Sequence, residues 1–300
     1  MNTTDELALP AATHMGGVEL RVYDVDAMTR FYATTLGTPE VAERPGARVL
    51  GDPSTGEALL ALVDDRRAPA HDGRQAGLFH TAFLFDDRAG VSGAVARLLG
   101  TGRGHYTGVG DHRVSQAFYF DDPEGNGIEL YVDRPRQTWA WRGGEVQMGT
   151  DWFDPEAFLT EFLDEEAAAH PAGLDGGPVG LGVGHVHLQV GDVASARRFY
   201  ADLLGFAVTA QLGDSAVFVS AGGYHHHMAM NTWNSRGAGR RSRTLGLSAV
   251  DIEVPTREAV EAAARRLRAA GVPTRDDGSA LVVEDTWGTP VRLSPVGSAA

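Results

Sequence analysis

The sequence predicts an α+β fold made of four copies of one strand–helix–strands module. Two observations predict it. The first is a duplicated motif. VELRVYDVDAMTRFYATTLG begins at Val18, and VHLQVGDVASARRFYADLLG begins at Val186. In each, an Asp (Asp24, Asp192) precedes a Phe-Tyr pair by seven residues and a Leu-Gly by twelve. The second is a variant unit that begins at His80 and again near Leu247. Each copy ends in a matched hairpin, DPEGNGIEL from Asp122 and DTWGTPVRL from Asp285. Internal repeats of this kind outrank local propensity as a guide to architecture.

Each element has its own signal. The alternating stretch from Val18 reads as a strand with one buried face. Asp24 can cap the helix that follows, and Gly37 can end it. The same signals recur at Asp192 and Gly205. The four units run over residues 15–66, 76–135, 182–234 and 244–296. Residues 1–14 are expected to be a flexible tail. Consecutive units are expected to form an N-terminal domain, 15–137, and a C-terminal domain, 182–300. The 138–181 linker carries an acidic stretch, DPEAFLTEFLDEEAAAH, that reads as one amphipathic helix. A Gly- and Pro-rich run from Pro171 to Gly184 follows it. A connection this long permits a substantial crossover.

Composition narrows the function classes. A chain of 300 residues is long enough for two domains. Its 43% hydrophobic and 22% charged content is that of an ordinary globular protein. A net charge of -14 argues against nucleic acid or an anionic membrane as partner, since both need clustered cations. No apolar run approaches the roughly 20 residues of a membrane span. The first residues lack the basic and apolar regions of a secretory signal, so a cytoplasmic location is expected. There is no cysteine. Any metal must be held by imidazole and carboxylate, which suits iron, manganese, zinc or nickel.

Three successive histidines, His225 to His227, stand in GGYHHHMAMNTW. On a regular strand His226 faces one way and its two neighbours the other. The flanking residues are apolar, so at least one imidazole is expected to point inward. There it is a candidate metal ligand or proton carrier near neutral pH.

The D…FY…LG and DPEGN motifs resemble those of the vicinal oxygen chelate superfamily, which includes glyoxalases, bleomycin-resistance proteins and type I extradiol dioxygenases. The resemblance covers nearly everything after the tail. It implies four βαβββ modules forming two cup-shaped mixed β-sheets. GGYHHHMAMNTW and DPEGNGIELYVDRP are most similar to the bacterial catechol 2,3-dioxygenase group. The resemblance implies metal ligands at set points: a His opening the first strand of each module of a pair, and a carboxylate in a last strand. These positions carry His185, His80 and Glu129 in units three and two. In units one and four they carry Gly17, Leu247 and Arg292. One set is complete and the other is empty, a complementarity that independent drift does not explain. Two His and one carboxylate leave open positions, as in non-haem Fe(II) oxygenases. The set is divided between units two and three, so the site is expected either within one chain or between subunits of a homo-oligomer.

The resemblance also implies His226 as the acid-base residue, with Tyr119 and His112 binding substrate oxygens. The expected reaction is extradiol cleavage of a catechol-like small molecule by O₂. Fe(II) is the expected metal, with Mn(II) as the alternative, and no organic cofactor is needed. Two other readings stand beside it: a glyoxalase-type metal-dependent isomerase or lyase, and a non-catalytic, antibiotic-sequestering protein. His187 shares a face with His185 and is expected close behind the ligands.

Overall fold

The computed structural model describes residues 8–276 and 278–297. Unit one contains β1 (His14–Val22), α1 (Val25–Leu36), β2 (Glu40–Arg44), β3 (Ala47–Gly51) and β4 (Ala58–Asp64). Unit two contains β5 (Gly77–Phe85), α2 (Arg88–Thr101), β6 (His105–Asp111), β7 (Ser115–Asp121) and β8 (Gly127–Asp133). The connection forms a small hairpin, β9 (Trp141–Arg142) and β10 (Glu145–Val146), then α3 (Pro155–Phe162) and α4 (Glu165–Ala169). Unit three contains β11 (Leu181–Gln189), α5 (Val193–Arg197), β12 (Ala207–Leu212), β13 (Ala216–Ser220) and β14 (Met228–Asn231). Unit four contains β15 (Gly246–Val254), α6 (Arg257–Ala269), β16 (Thr274–Asp276), β17 (Leu281–Glu284) and β18 (Pro290–Pro295).

The caps read from the sequence form. The Asp24 carboxylate accepts the Ala27 N–H at 3.0 Å, and Asp192 accepts that of Ser195 at 2.8 Å. Asp87 does the same for Gly90 at 2.8 Å in unit two. Such caps satisfy amides that the first turn of a helix leaves open. Gly37 ends α1 at φ 71°, a left-handed conformation that suits glycine.

The strands form two eight-stranded mixed sheets. One has the order β16-β17-β18-β15-β1-β4-β3-β2, the other β12-β13-β14-β11-β5-β8-β7-β6. Unit one therefore shares a sheet with unit four, and unit two with unit three. The seams are antiparallel, β1 on β15 and β5 on β11. This corrects the expected division into two domains of consecutive units. Each opening strand has a free edge, and the long connection lets units two and three close on each other. The side chains of units two and three that were expected to share a site meet within one chain.

Consecutive units are joined instead through their helices and hairpins. The Tyr32 hydroxyl of unit one donates to the buried Asp122 of unit two at 2.7 Å. Tyr200 of unit three donates to Asp285 of unit four at 3.1 Å. Each Asp also accepts backbone amides of its own turn: Glu124 and Asn126 for Asp122, Trp287 and Thr289 for Asp285. The Phe-Tyr pairs and DP/DT hairpins are thus two ends of one latch. A single apolar core contains residues of both sheets, including Leu20 and Leu62 from one and Phe83 and Val186 from the other.

Two expectations about flanking segments are also corrected. Of the expected tail, residues 1–7 lie outside the described residues, and residues 8–14 are not loose. Leu9 is buried, its N–H donates to Gly205 O at 2.7 Å, and His14 opens β1. The acidic stretch of the linker is two helices, because Asp164 leaves the helical conformation and caps α4 through the Ala167 N–H.

Candidate metal and catalytic site

The ladder register brings three side chains together. On β5, Ala82 pairs with Glu129 of β8 on one side and His185 of β11 on the other. His80 lies two residues along β5, on the same face as Ala82. The three side chains converge over the middle of the sheet. His80 Nε2 lies 2.9 Å from Glu129 Oε2, and His185 Nε2 lies 3.0 Å from the same oxygen. All three residues are buried, and their ligand atoms lie within 4.8 Å of one another. The approach of β8 depends on Gly127, where a Cβ would stand 2.1 Å from the Phe79 carbonyl oxygen.

These residues fit a metal ion. Two buried imidazole nitrogens aim at one carboxylate oxygen. His80 Nε2 is poorly aligned for a hydrogen bond and has no other partner. Buried polar atoms left in this way are costly unless something else binds them. Burial pushes the Glu129 carboxyl up, but the imidazoles of His185 and His80 outweigh it. The group is held well below the usual carboxylate range. Burial pushes His185 down to about 4, so it offers a neutral, ligating nitrogen.

The equivalent place in the other sheet is filled differently. Gly17 pairs with Asp251, as His185 pairs with Ala82, and Arg292 pairs with Asp251, as Glu129 does with Ala82. The counterpart of His80 is Ala249, which faces Glu19 as His80 faces His187. Leu247, expected there, matches Leu78, because both seams slip register just before it. Arg292 forms ion pairs with Asp251 and, at 3.0 Å, with Glu19.

The three histidines lie in the turn before β14, not within the strand. The expected alternation therefore holds only in part. The His226 ring lies 4.1 Å from that of His185 and lines the cavity above the ligands. His227 points elsewhere, its Nδ1 accepting the Ala221 N–H at 3.2 Å. His225 does not share that side: its Nδ1 meets His226 Nδ1 at 2.8 Å, and its Nε2 meets Asp133 Oδ1 at 2.9 Å. The sequence held no signal for Asp133 as a partner, since it ends a strand of another unit. Burial, reinforced by neighbouring imidazoles, holds His226 well below the usual histidine range.

Tyr119 pairs with Glu129 across β7 and β8. Its hydroxyl meets His112 Nε2 at 2.6 Å, and His112 Nδ1 meets the Gly149 carbonyl at 2.7 Å. A carbonyl only accepts, so Nδ1 carries the proton and Nε2 accepts from Tyr119. Burial, and then the Glu129 charge, raise the Tyr119 phenol well above its ordinary range. His187 is fixed by the Asn231 amide at 3.0 Å and stacks edge-on with Phe79 and Trp233. A cavity of about 910 Å³ opens over all of these groups. The connection, from Glu145 to Thr150, forms part of its wall.

The family model described as "Glyoxalase/Bleomycin resistance protein/Dioxygenase superfamily" matches residues 14–130 and 182–292. A catechol-2,3-dioxygenase of Bacillus subtilis (strain 168) is 36% identical over 277 residues, covering 91% of this chain and 94% of its own. A biphenyl-2,3-diol 1,2-dioxygenase of Rhodococcus globerulus is 29% identical over 140 residues, covering 45% of this chain and 73% of its own. Among solved structures, glyoxalase I from Zea mays superposes with a TM-score of 0.57 at 17% identity, covering 95% of this chain and 92% of its own. That likeness is one of fold alone.

Proposed function

Because the chain belongs to the glyoxalase/bleomycin resistance protein/dioxygenase superfamily, we propose that it is an extradiol dioxygenase using Fe(II) to cleave a catechol with O₂. The observation that carries this reading is the convergence of His80 and His185 on one oxygen of Glu129 at the floor of a large cavity. His226 stands against that floor, and the similarity to a catechol-2,3-dioxygenase extends over 91% of the chain. His80, Glu129 and His185 would hold the metal. When bound, Fe(II) supplies Lewis-acid and redox chemistry that lets a catechol and O₂ react side by side.

The rest is done by this chain's own groups. Asp133 accepts from His225 Nε2–H, so His225 Nδ1 accepts from His226 Nδ1–H. That leaves His226 Nε2 as the nitrogen free to take the catechol proton and return it later. Tyr119 gives its one proton to His112, so its hydroxyl oxygen is placed to accept a hydrogen bond from a substrate hydroxyl.

The test combines metal analysis with an aerobic assay. The iron-loaded protein is expected to cleave catechol next to its hydroxyls and to leave a glutathione thiohemiacetal unchanged. Glu129→Ala is expected to stay folded but lose stoichiometric iron. Full iron in that variant would remove Glu129 from the ligand set. Isomerisation of the thiohemiacetal without ring cleavage would favour a glyoxalase-type enzyme.

A further inference from the structure

We infer that the cavity selects neutral catechols bearing a bulky apolar substituent and rejects carboxylated ones; this rests on the ring-cleavage reading. Its volume of about 910 Å³ lies near the top of the roughly 300–1,000 Å³ that accept drug-sized ligands. An unsubstituted ring would leave most of it unfilled. Phe79 and Trp233 meet edge-on at 5.3 Å beside the ligands, and Phe218 lies 5.1 Å from the His226 ring. Val146 and Met148 add apolar wall from the connection.

Charge selects in the same direction. The chain has no lysine, and among the described residues no arginine lines the cavity. The arginines flanking the lining loop are committed elsewhere, Arg113 to Asp151 at 3.1 Å and Arg134 to Asp111. Asp121 and Glu145 line the wall as carboxylates in addition to Glu129. A substrate carboxylate would lose its water and find no cationic partner. The chain's net charge of -14 opposes its approach as well.

The experiment measures anaerobic binding to the iron-loaded protein by tryptophan fluorescence, then aerobic cleavage. The probes are catechol, 4-butylcatechol, 3,4-dihydroxybenzoate and 4-(2-aminoethyl)catechol. 4-Butylcatechol is expected to bind at least about tenfold more tightly than catechol, and 3,4-dihydroxybenzoate more weakly than either. Trp233→Ala is expected to shrink the butyl advantage, and Gln147→Arg to narrow the gap to the acid. If Trp233→Ala fails to fold, the wild-type ratios and Gln147→Arg decide. Equal or tighter binding of the acid overturns the inference, and so does tightest binding of the amine. Cleavage of catechol with preference for the acid would leave the reaction standing while sinking the selectivity. The expected binding order without any cleavage would support the selectivity and overturn the reaction.

Discussion

His226 is defined by what surrounds it. It is not a ligand in the Glu129 cluster, yet its ring lies against His185 and its Nδ1 is tied through His225 to Asp133. On the proposed reading, replacing it with Phe removes a proton carrier and leaves the three proposed ligands in place. His226→Phe is expected to retain iron and to lose about 10²- to 10⁴-fold in turnover, the range for a lost general acid-base group. Near-normal ring cleavage by that variant would exclude His226 from the chemistry. His227 has a different fate. Burial holds it neutral in the folded protein, down to about 3 from 6.5. Its folded value lies below the unfolded one, so the unfolded chain binds more protons in between. The stability it supports is complete above about pH 6.5 and is lost as pH falls toward about 3. Each unit corresponds to about 1.4 kcal/mol. Between pH 7.5 and 5.0 the wild type should lose about 2 kcal/mol more than His227→Gln, read from urea midpoints. Parallel curves for the two proteins would refute it. His80, Glu129 and His185 were legible because the family resemblance marks their positions and the repeat offers an empty copy for comparison. The His225–Asp133 contact was not, because it depends on a turn that departs from strand geometry.

At the level of elements, the repeated motifs acquire a physical reason. The Tyr of each Phe-Tyr pair crosses to the hairpin of the next unit, where an Asp already holds two turn amides. Burial pushes the Asp122 and Asp285 carboxyls up, so these hydrogen bonds offset a real desolvation cost. Tyr32→Phe keeps the ring in the core and deletes only the donor. It is expected to destabilise by about 1–3 kcal/mol, measured by urea unfolding, while iron content stays at the wild-type level. A change below about 0.3 kcal/mol would show that the latch is not structural. The sequence revealed both halves of the motif as repeats. It did not reveal that they bond to each other, because the partners sit 90 and 85 residues apart in different units. The counterpart of His80 is Ala249 and not Leu247, and this was legible: His80 stands seven residues before the helix cap Asp87, and Ala249 seven before the cap Thr256.

The whole molecule is built on two eight-stranded sheets, each completed by one unit from either half of the chain. Cleaving the exposed linker after Gly176 would separate His80 and Glu129 from His185. Each half would also carry two nine-residue strands without their seam partners, β1 and β5 in one and β11 and β15 in the other. Such edges pair with whatever strand is offered. If β1 paired with β5 in the first half, Gly17 would take the place of His185. If β11 paired with β15 in the second, Ala249 and Arg292 would take the places of His80 and Glu129. No rearrangement within one half therefore completes a site. Residues 1–176 and 177–300, expressed separately, are each expected to purify with far less than one iron per chain. Refolded together, they are expected to elute as one complex, carry one iron per pair and regain ring cleavage. Metal analysis across the size-exclusion peak reads all three outcomes. A half that binds one iron per chain alone, or a well-folded complex that binds none, would show that the site is not built across the β5–β11 seam.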